Sequence, residues 1–545
     1  MAERSGAAHW DEPDALIIGA GASGAAVAWF LAREGWRVVC LEQGGWVDLK
    51  STPPWQQDWE LRRLGDFSAN PNVRRLREDY PVNDTESAFS PLMFNAVGGS
   101  TIHWSAHFPR YHPSDFKVRS LDGVGDDWPL SYEELEPFFD LNDQMIGVAG
   151  LSGDPSVPIR SPRQTRPIPL GPMGERIAAG FDKLGWHWWP SDSAIITEPY
   201  GGEHRQPCNN CGPCDLCCPT GAMSSANVTY WPLAMTLGVD LRTRCRVREI
   251  TVDPQGRATG ALYYDESGAL QHQRAPVVIL GANGVGTPRL LLNSRSAAFP
   301  NGLANRNGLV GKNLMFHPFA SATGYFEEDF QSYRGPIGCS LLSQEFYETD
   351  AGRDFVRGFT IQIGRQSGPL NTALGGFTQH RIPWGQGHHE EFDARFGRGA
   401  NVSIIGEDLP EEVNNVTLDP DLTDSDGIPA PRVRYRLSDN SLRMMEFATA
   451  RAREVLEAAG AARILMRNPL RNSGWHLLGT CRMGDTPFSG VVDRWGRAHD
   501  VPNLFIVDGS VFVTSAAVNP TTTLQALALR TADHLVRSGR GGTAT

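Results

Sequence analysis

The pattern of apolar and polar positions divides the chain into two kinds of architecture. Near the N-terminus the apolar run Ala15-Leu-Ile-Ile-Gly19 leads into Gly19-Ala-Gly21-Ala-Ser-Gly24, then an alanine-rich amphipathic stretch to Glu34, then Trp36-Arg-Val-Val-Cys-Leu-Glu42. That order predicts strand, glycine turn, helix and strand. Val277-Val-Ile-Leu-Gly-Ala-Asn-Gly284-Val-Gly286-Thr-Pro-Arg repeats the theme and predicts a second strand, turn and helix in the same sheet. From Phe326 to about Leu437 the period changes. Stretches such as Phe355-Val-Arg-Gly-Phe-Thr-Ile-Gln-Ile363 and Asn401-Val-Ser-Ile-Ile405 alternate, as strands of an antiparallel sheet do. Asp439 opens a helix with Met445, Ala448, Ala452, Val455 and Leu456 on one face, closed by Gly460. Residues 150–172 are rich in proline and read as an extended crossing segment; the stretch Met173 to Leu184 reads as a helix ended by Gly185. No internal repeat or low-complexity tract is present.

The first unit carries chemistry. In a strand–turn–helix–strand unit, Gly19 makes the tight turn, Gly21 lets the backbone approach a pyrophosphate, and Gly24 lets the helix pack on the strand. The helix N-terminus stabilises phosphate charge, and Glu42 can accept the hydroxyls of a ribose. The reading is a dinucleotide site; the bland alternative is a glycine turn in a buried unit.

Composition bounds the class. The chain has 545 residues, 40% hydrophobic and 21% charged, enough for a large core and no sign of disorder. Length alone suggests roughly three or four domains, a soft count because large domains interleave. A net charge of −12 argues against nucleic acid as a partner. No apolar run reaches the length of a membrane span, and Met1 to Asp14 lack a basic and an apolar region of a signal peptide. The expectation is a cytoplasmic protein by default, with export as a passenger on a signal-bearing partner left open.

Five of the nine cysteines fall in Cys208-Asn-Asn-Cys211-Gly-Pro-Cys214-Asp-Leu-Cys217-Cys218-Pro219. The spacing C-x2-C-x2-C-x3-C-P wraps one loop around an iron-sulfur cluster, with Cys208, Cys211, Cys214 and Cys218 as the candidate ligands. Zinc is the nearest rival, although its paired arms usually stand further apart in sequence. A disulfide knot is disfavoured, since five cysteines this close cannot all pair. Cys40, Cys245, Cys339 and Cys481 stand alone, as free core thiols do. The aromatic run Trp186-His-Trp-Trp189 before the loop reads either as a shield for a cluster or as a packed interface.

Three more segments complete the pattern: Phe94-Asn-Ala-Val-Gly98-Gly99-Ser100-Thr101-Ile102-His103-Trp104, Gly474-Trp-His476-Leu-Leu-Gly479-Thr-Cys, and Asn503-Leu-Phe-Ile-Val-Asp508-Gly509-Ser510 with Asn519-Pro-Thr-Thr-Thr following. In combination they resemble the glucose-methanol-choline (GMC) family of FAD oxidoreductases over nearly the whole chain. The resemblance implies an α/β fold, a Rossmann-type FAD-binding domain interleaved with an α+β substrate domain built on an antiparallel sheet. The expected division is 1–149, 225–325 and 470–545 for FAD, 150–224 for the crossing segment with its cysteine loop, and 326–469 for substrate. It also implies that Gly98, Gly99, Ser100, Thr101, His103, Trp104, Asp508 and Gly509 contact the cofactor, that Val247 meets the adenine, that His476 is the catalytic histidine and that Asn519 is its partner. The Thr-Ile-His-Trp and Asn-Pro-Thr-Thr-Thr forms resemble pyranose oxidases and bacterial sugar and polyol dehydrogenase subunits. Pyranose oxidases bond the histidine matching His103 covalently to flavin and related dehydrogenases need not, so both forms stay open. The dehydrogenase branch carries a cysteine insert ending in Cys-Pro-x-Gly-Ala, matched by Cys218 to Ala222, which holds a [3Fe-4S] cluster; the extra Cys217 and the ferredoxin-like spacing leave [3Fe-4S] and [4Fe-4S] both open.

Oxidising a carbinol requires a base for the hydroxyl proton and a donor that holds the oxygen. A neutral His476 serves as the base and the Asn519 amide as the donor; the bland readings are a satisfied core histidine and a helix N-cap before Pro520. Glu407 and the pair His388-His389 are further candidates, weighed against a strand-end carboxylate and a solvated loop. The expected function is an FAD-dependent dehydrogenase of a sugar, polyol or sugar-like alcohol that passes electrons through the cluster to a cytochrome or small partner subunit. The alternatives are a pyranose-type oxidase with a structural or zinc-binding cysteine loop, and a non-redox flavin lyase or docking subunit.

Overall fold

The computed structural model describes residues 10–539, with 339, 367 and 377–379 left aside. Two sheets organise it. The first has five parallel strands in the order Leu504–Ile506, Val278–Leu280, Ala15–Ile18, Val38–Leu41, Asp240–Arg242, with Leu16 facing Val39 on one side and Val278 on the other. The first four of these strands are apolar because both faces of a parallel sheet are covered, and the edge strand Asp240–Arg242 is not. Their side chains divide between two cores, Leu16 and Ile18 on one face and Ala15 and Ile17 on the other. The helices Ala22–Arg33 and Thr521–Ser538 pack over the second face. The expected order of strand, turn and helix is found at both places, with Val278–Leu280 leading into the helix Asn283–Asn293.

The second sheet is antiparallel and has six strands in the order Arg463–Arg467, Phe319–Tyr325, Gly399–Gly406, Phe359–Gly364, Leu341–Ser343, Trp189–Pro190. The helix Asp439–Ala458 crosses it with Met444, Met445, Ala448, Ala452, Val455 and Leu456 inward, capped by the Ser438 hydroxyl. The helix Gly171–Leu184 lies beside it and ends at Gly185, which has φ 71°. Two smaller three-stranded sheets, Asn415–Thr423/Pro429–Tyr435/Asn83–Ser87 and Arg246–Val252/Ala258–Tyr264/Leu270–Arg274, complete the scaffold.

Pairing differs from the sequence boundaries in two places. Phe319–Tyr325, assigned to the nucleotide part by the boundary at 325, is hydrogen-bonded inside the antiparallel sheet. Gly171–Leu184 and Trp189–Pro190, assigned to a separate crossing segment, also belong to that sheet's layer. Strand ends are fixed by partners far along the chain, which local composition does not report. Trp186 and Trp188 pack into the same core, Trp186 edge-on against Phe346 at 4.9 Å. The interface reading holds there, and the cluster-shield reading does not. Cys339 lies outside the described residues. Among them no helix is long and apolar enough to cross a membrane.

Candidate active site

Between the two sheets runs a cavity of about 650 Å³. Its nucleotide end is built by the first glycine turn. Gly19 has φ 101°, and a Cβ on Gly24 would fall on the Gly19 carbonyl oxygen, so the helix approaches the strand at a distance only glycine permits. The Ala20 carbonyl is held by Gly98 N–H at 2.9 Å and by Trp231 Nε1 at 2.9 Å. Gly99 (φ 55°) comes so close that a Cβ would stand 2.9 Å from Gly21 Cα. Gly19, Gly21 and Gly99 line the cavity; Gly24 and Gly98 support those that do.

Glu42 is buried at the end of its strand, and its two carboxylate oxygens accept from Ala20 N–H and Gly44 N–H, each at 2.8 Å. Burial pushes its pKa up and these bonds oppose the shift. Glu42 lines the cavity, and each oxygen keeps further acceptor capacity with which ribose hydroxyls would be bound. Val247, Ser100, Thr101, Trp104, Asp508 and Gly509 line the cavity further along. Asp508 is buried, accepts from Ser510 N–H at 2.9 Å and from the Thr287 hydroxyl, and is held up in pKa by burial.

His103 lies on the wall between Phe94 and Phe67, with ring centroids 4.2 and 4.7 Å away. Its Nδ1 is 2.7 Å from the Asp215 carbonyl, which can only accept, so Nδ1 carries the proton. Nε2 is buried without a partner among the described residues, and burial lowers the ring pKa to about 3. Trp104 Nε1 is likewise buried and unpartnered. Unsatisfied polar atoms on the wall of a long cavity fit a polar cofactor better than a packed core.

His476 and Asn519 line the same cavity. His476 Nδ1 is 2.8 Å from His317 Nδ1, and His317 Nε2 is 3.2 Å from the Ser515 carbonyl. The carbonyl fixes the His317 proton on Nε2. A neutral His317 then accepts at Nδ1, so His476 donates from Nδ1 and its Nε2 is bare. Burial lowers both pKa values, that of His317 to about 4 and that of His476 well below the usual histidine value, with His317 and His107 adding to the effect on His476. Asn519 precedes the helix Thr521–Ser538 and does not cap it; its Oδ1 accepts from Gln362 Nε2 at 2.6 Å, leaving its NH2 for a ligand. His317 and Gln362 carry no local sequence signature and were not among the expected site residues.

The remaining candidates separate cleanly. Glu407 is buried in an ion pair with Arg357 at 2.8 Å, away from the cavity, so the strand-end carboxylate reading holds. His388 and His389 lie on the short helix His388–Asp393, which buries none of its residues.

The cysteine loop occupies its own place. Cys208, Cys211, Cys214 and Cys218 line one small pocket with Ile195, Met223 and Pro336. Cys217 faces the other way, into the cluster of Phe67, Phe94, Ile102 and Leu216. Among the described residues no three His, Cys, Asp or Glu side chains converge to hold a single metal ion. The loop is tied to the cofactor wall by the His103–Asp215 bond and by Cys217 N–H donating to the Ile102 carbonyl at 3.1 Å.

Residues 14–319 and 410–528 match the N- and C-terminal GMC oxidoreductase models. The chain belongs to the GMC oxidoreductase family. It is a flavoenzyme of the class that acts on alcohol CH–OH groups. This GMC protein is 44% identical to the 2-methyl-1,2-propanediol dehydrogenase of Mycolicibacterium austroafricanum, over 97% of this chain and 96% of that one. It is 30% identical to the fructose dehydrogenase large subunit of Gluconobacter japonicus, over 97% and 98% of the two chains. The crystal structure of pyridoxine 4-oxidase from Mesorbium loti superposes with a TM-score of 0.64 at 17% identity, covering 96% of this chain and 98% of that one, a shared fold.

Proposed function

We propose that this GMC oxidoreductase is a dehydrogenase that oxidises one hydroxyl of a small polyol or sugar-like alcohol to a carbonyl, with electrons passing through an iron-sulfur cluster to an external acceptor such as a cytochrome or small partner subunit. The observation that carries it is that the bare Nε2 of His476 and the free amide of Asn519 belong to residues lining one cavity. Gly19, Gly21, Glu42, Val247, Gly99 and Asp508 would hold FAD. Bound FAD supplies the acceptor for the hydride of the carbinol carbon. His476 takes the hydroxyl proton at Nε2, and Asn519 donates to the alcohol oxygen as negative charge develops there. Per alcohol, two one-electron acceptors are reduced and two protons are released.

The wall facing these groups favours a compact, branched alcohol with a second polar group. Phe319 pairs across the sheet with Ile405, and Leu470 and Trp475 pack onto them, giving an apolar surface beside His476. Asn401 and Ser403 line the cavity on the same strand as Ile405. The 44% relative, named for a methyl-branched vicinal diol, agrees with that division.

The cysteine pocket supports a cluster over zinc. Cys208, Cys211, Cys214 and Cys218 line one pocket, and their C-x2-C-x2-C-x3-C-P spacing is that of a cluster-binding loop, whereas paired zinc arms usually stand further apart in sequence.

His476→Ala tests the assignment. Anaerobic mixing with a diol or sugar series is expected to bleach the wild-type flavin and leave the variant unbleached with its flavin bound. A variant that bleaches at the native rate removes His476 from the role of base. Peroxide formed as fast as a dye is reduced would make the protein an oxidase. Flavin left wholly in the supernatant after acid precipitation would reduce His103 to a contact.

A further inference from the structure

Two arginines beside the cysteine pocket are buried without a carboxylate. Arg205 is 3% exposed and Arg365 9% exposed, and among the described residues neither has an acidic side chain within ion-pair distance. Elsewhere in this chain buried arginines are paired: Arg357 with Asp115 and Glu407, Arg110 with Asp143, Arg74 with Asp79. An isolated buried guanidinium is costly unless a negative charge lies near it.

Neither guanidinium lines the cysteine pocket itself; each bonds or packs on residues that line or adjoin it, and Arg365 also lines the large cavity. Arg205 Nε donates to the Gly221 carbonyl at 3.2 Å and Nη2 to that of Ala222 at 3.5 Å, and Ala222 lines the cysteine pocket next to Cys218. Its remaining bonds go to the Ile146 carbonyl and the Ser224 hydroxyl, all uncharged. Arg365 donates from Nη2 to the carbonyls of Pro169 and Leu170, each at 3.0 Å, while its Nε is buried without a partner. The guanidinium lies under Gly335, whose N–H bonds the Asn210 carbonyl at 3.0 Å inside the loop, and Pro336 next to it lines the pocket. Burial pushes both guanidinium pKa values down, and the thiols that oppose the shift are Cys218 for Arg205, and Cys208 and Cys214 for Arg365. Neutral thiols would leave two buried cations uncompensated. Metal-bound thiolates would compensate them.

We propose that Arg205 and Arg365 are the built-in counter-charges of an iron-sulfur cluster held by Cys208, Cys211, Cys214 and Cys218, and that they hold its reduction potential up. This rests on the cluster reading above and adds to it the residues that tune the cluster. Positive charge favours the more negative, reduced form, so neutralising either arginine lowers the potential.

The test uses full-length protein purified without oxygen: wild type, Arg205→Gln, Arg365→Gln, and Arg365→Lys as the charge-retaining control. Iron and sulfide are assayed, and the cluster midpoint is read by EPR-monitored redox titration. Both glutamine variants are expected to titrate at lower potential than wild type, and Arg365→Lys to lie closer to wild type than Arg365→Gln. Unchanged midpoints in the glutamine variants overturn the proposal. If neither glutamine variant folds, pulsed EPR of wild type grown with 15N-arginine decides: 15N coupling to the cluster spin is expected, and its absence overturns the assignment. Wild type holding flavin but no iron and sulfide would instead sink the cluster reading itself.

Discussion

The Nδ1 atoms of His476 and His317 stand 2.8 Å apart with their rings at 85°, and the Ser515 carbonyl on the far side of His317 decides which of them holds the proton. Because a carbonyl only accepts, the chain Ser515–His317–His476 has one neutral arrangement, and it leaves Nε2 of His476 as the lone pair facing the cavity. His317 is therefore a positioning residue. His317→Phe removes the acceptor and lets His476 populate the wrong tautomer, so kcat is expected to fall by roughly 10²-fold with KM little changed. His317→Asn, whose amide oxygen can accept, should recover part of the loss. Equal kcat for Phe, Asn and wild type would remove the role.

With His476 as the proposed base, the same pair sets the acid limb of the rate. Burial lowers the pKa of His476 well below 6.5, and that of His317 to about 4. The base is thus unprotonated at pH 6, and kcat/KM is expected to stay flat from pH 8 to 6 and fall only below the ordinary histidine range. An acid limb centred at 6.5 or above would show that the group is solvated in the working enzyme.

Gln362 Nε2 holds Asn519 Oδ1 at 2.6 Å and so aims the Asn519 NH2 at the ligand. Gln362→Leu frees that amide to rotate, and the expected result is a fall in kcat/KM of roughly tenfold, with flavin content unchanged. Gln362→Glu, which retains an acceptor but no donor, should not rescue it. Wild-type kinetics in both variants would place the orientation of Asn519 elsewhere.

These two pairs mark the limit of what the sequence discloses. The glycine turn, Glu42 and the helix Asp439–Ala458 follow from local spacing and period, since their causes lie within a few residues. His317 and His476 are 159 positions apart, and Gln362 and Asn519 are 157 apart. Such partners are set by how two sheets close on each other, and no window of the sequence contains both. The same is true of Phe319–Tyr325, whose membership in the antiparallel sheet depends on Gly399–Gly406 and Arg463–Arg467. Arg205 and Arg365 look like surface arginines until their burial, and the absence of a nearby carboxylate among the described residues, are known.

Gly24 is a purely steric requirement. Its Cβ would meet the Gly19 carbonyl oxygen, so Gly24→Ala must push the helix Ala22–Arg33 off the first strand. The expected cost is about 1–3 kcal/mol of stability, with a larger loss of FAD affinity because the turn it displaces lines the cavity proposed for the cofactor. Isothermal titration with FAD and a melting curve check both. An unaltered FAD affinity would show that the turn relaxes independently of the helix.

Asp408 gives a pH effect of defined sign. It is buried, accepts from Tyr435 OH at 2.7 Å and from Phe316 N–H at 3.2 Å, and burial raises its pKa from 3.8 to about 7. A carboxyl whose folded pKa is raised contributes stability below its unfolded pKa, and that contribution is lost as pH rises toward the folded pKa. The difference in melting temperature between wild type and Asp408→Asn is therefore expected to move against wild type from pH 4.5 to 7 and to level off above it. A difference independent of pH would mean that Asp408 is ionised throughout.

Cys217 separates the cysteine that turns away from the four that turn in. Its backbone has φ 71° and ψ 136°, a region that a non-glycine residue enters only under strain, and its side chain is fully buried against Ile102 and Phe94. That turn is what lets Cys218 point back into the pocket directly after Cys217 points out. If the loop holds the proposed cluster, Cys217→Ala should leave iron and sulfide content unchanged while lowering the melting temperature through the lost packing. Cys214→Ser and Cys218→Ser should each reduce iron retention. Cys217→Gly relieves the backbone and leaves a larger hole, so its stability should differ little from that of Cys217→Ala. If Cys217→Ala loses iron as readily as Cys218→Ser, then Cys217 is a ligand and the loop must re-form around the cluster.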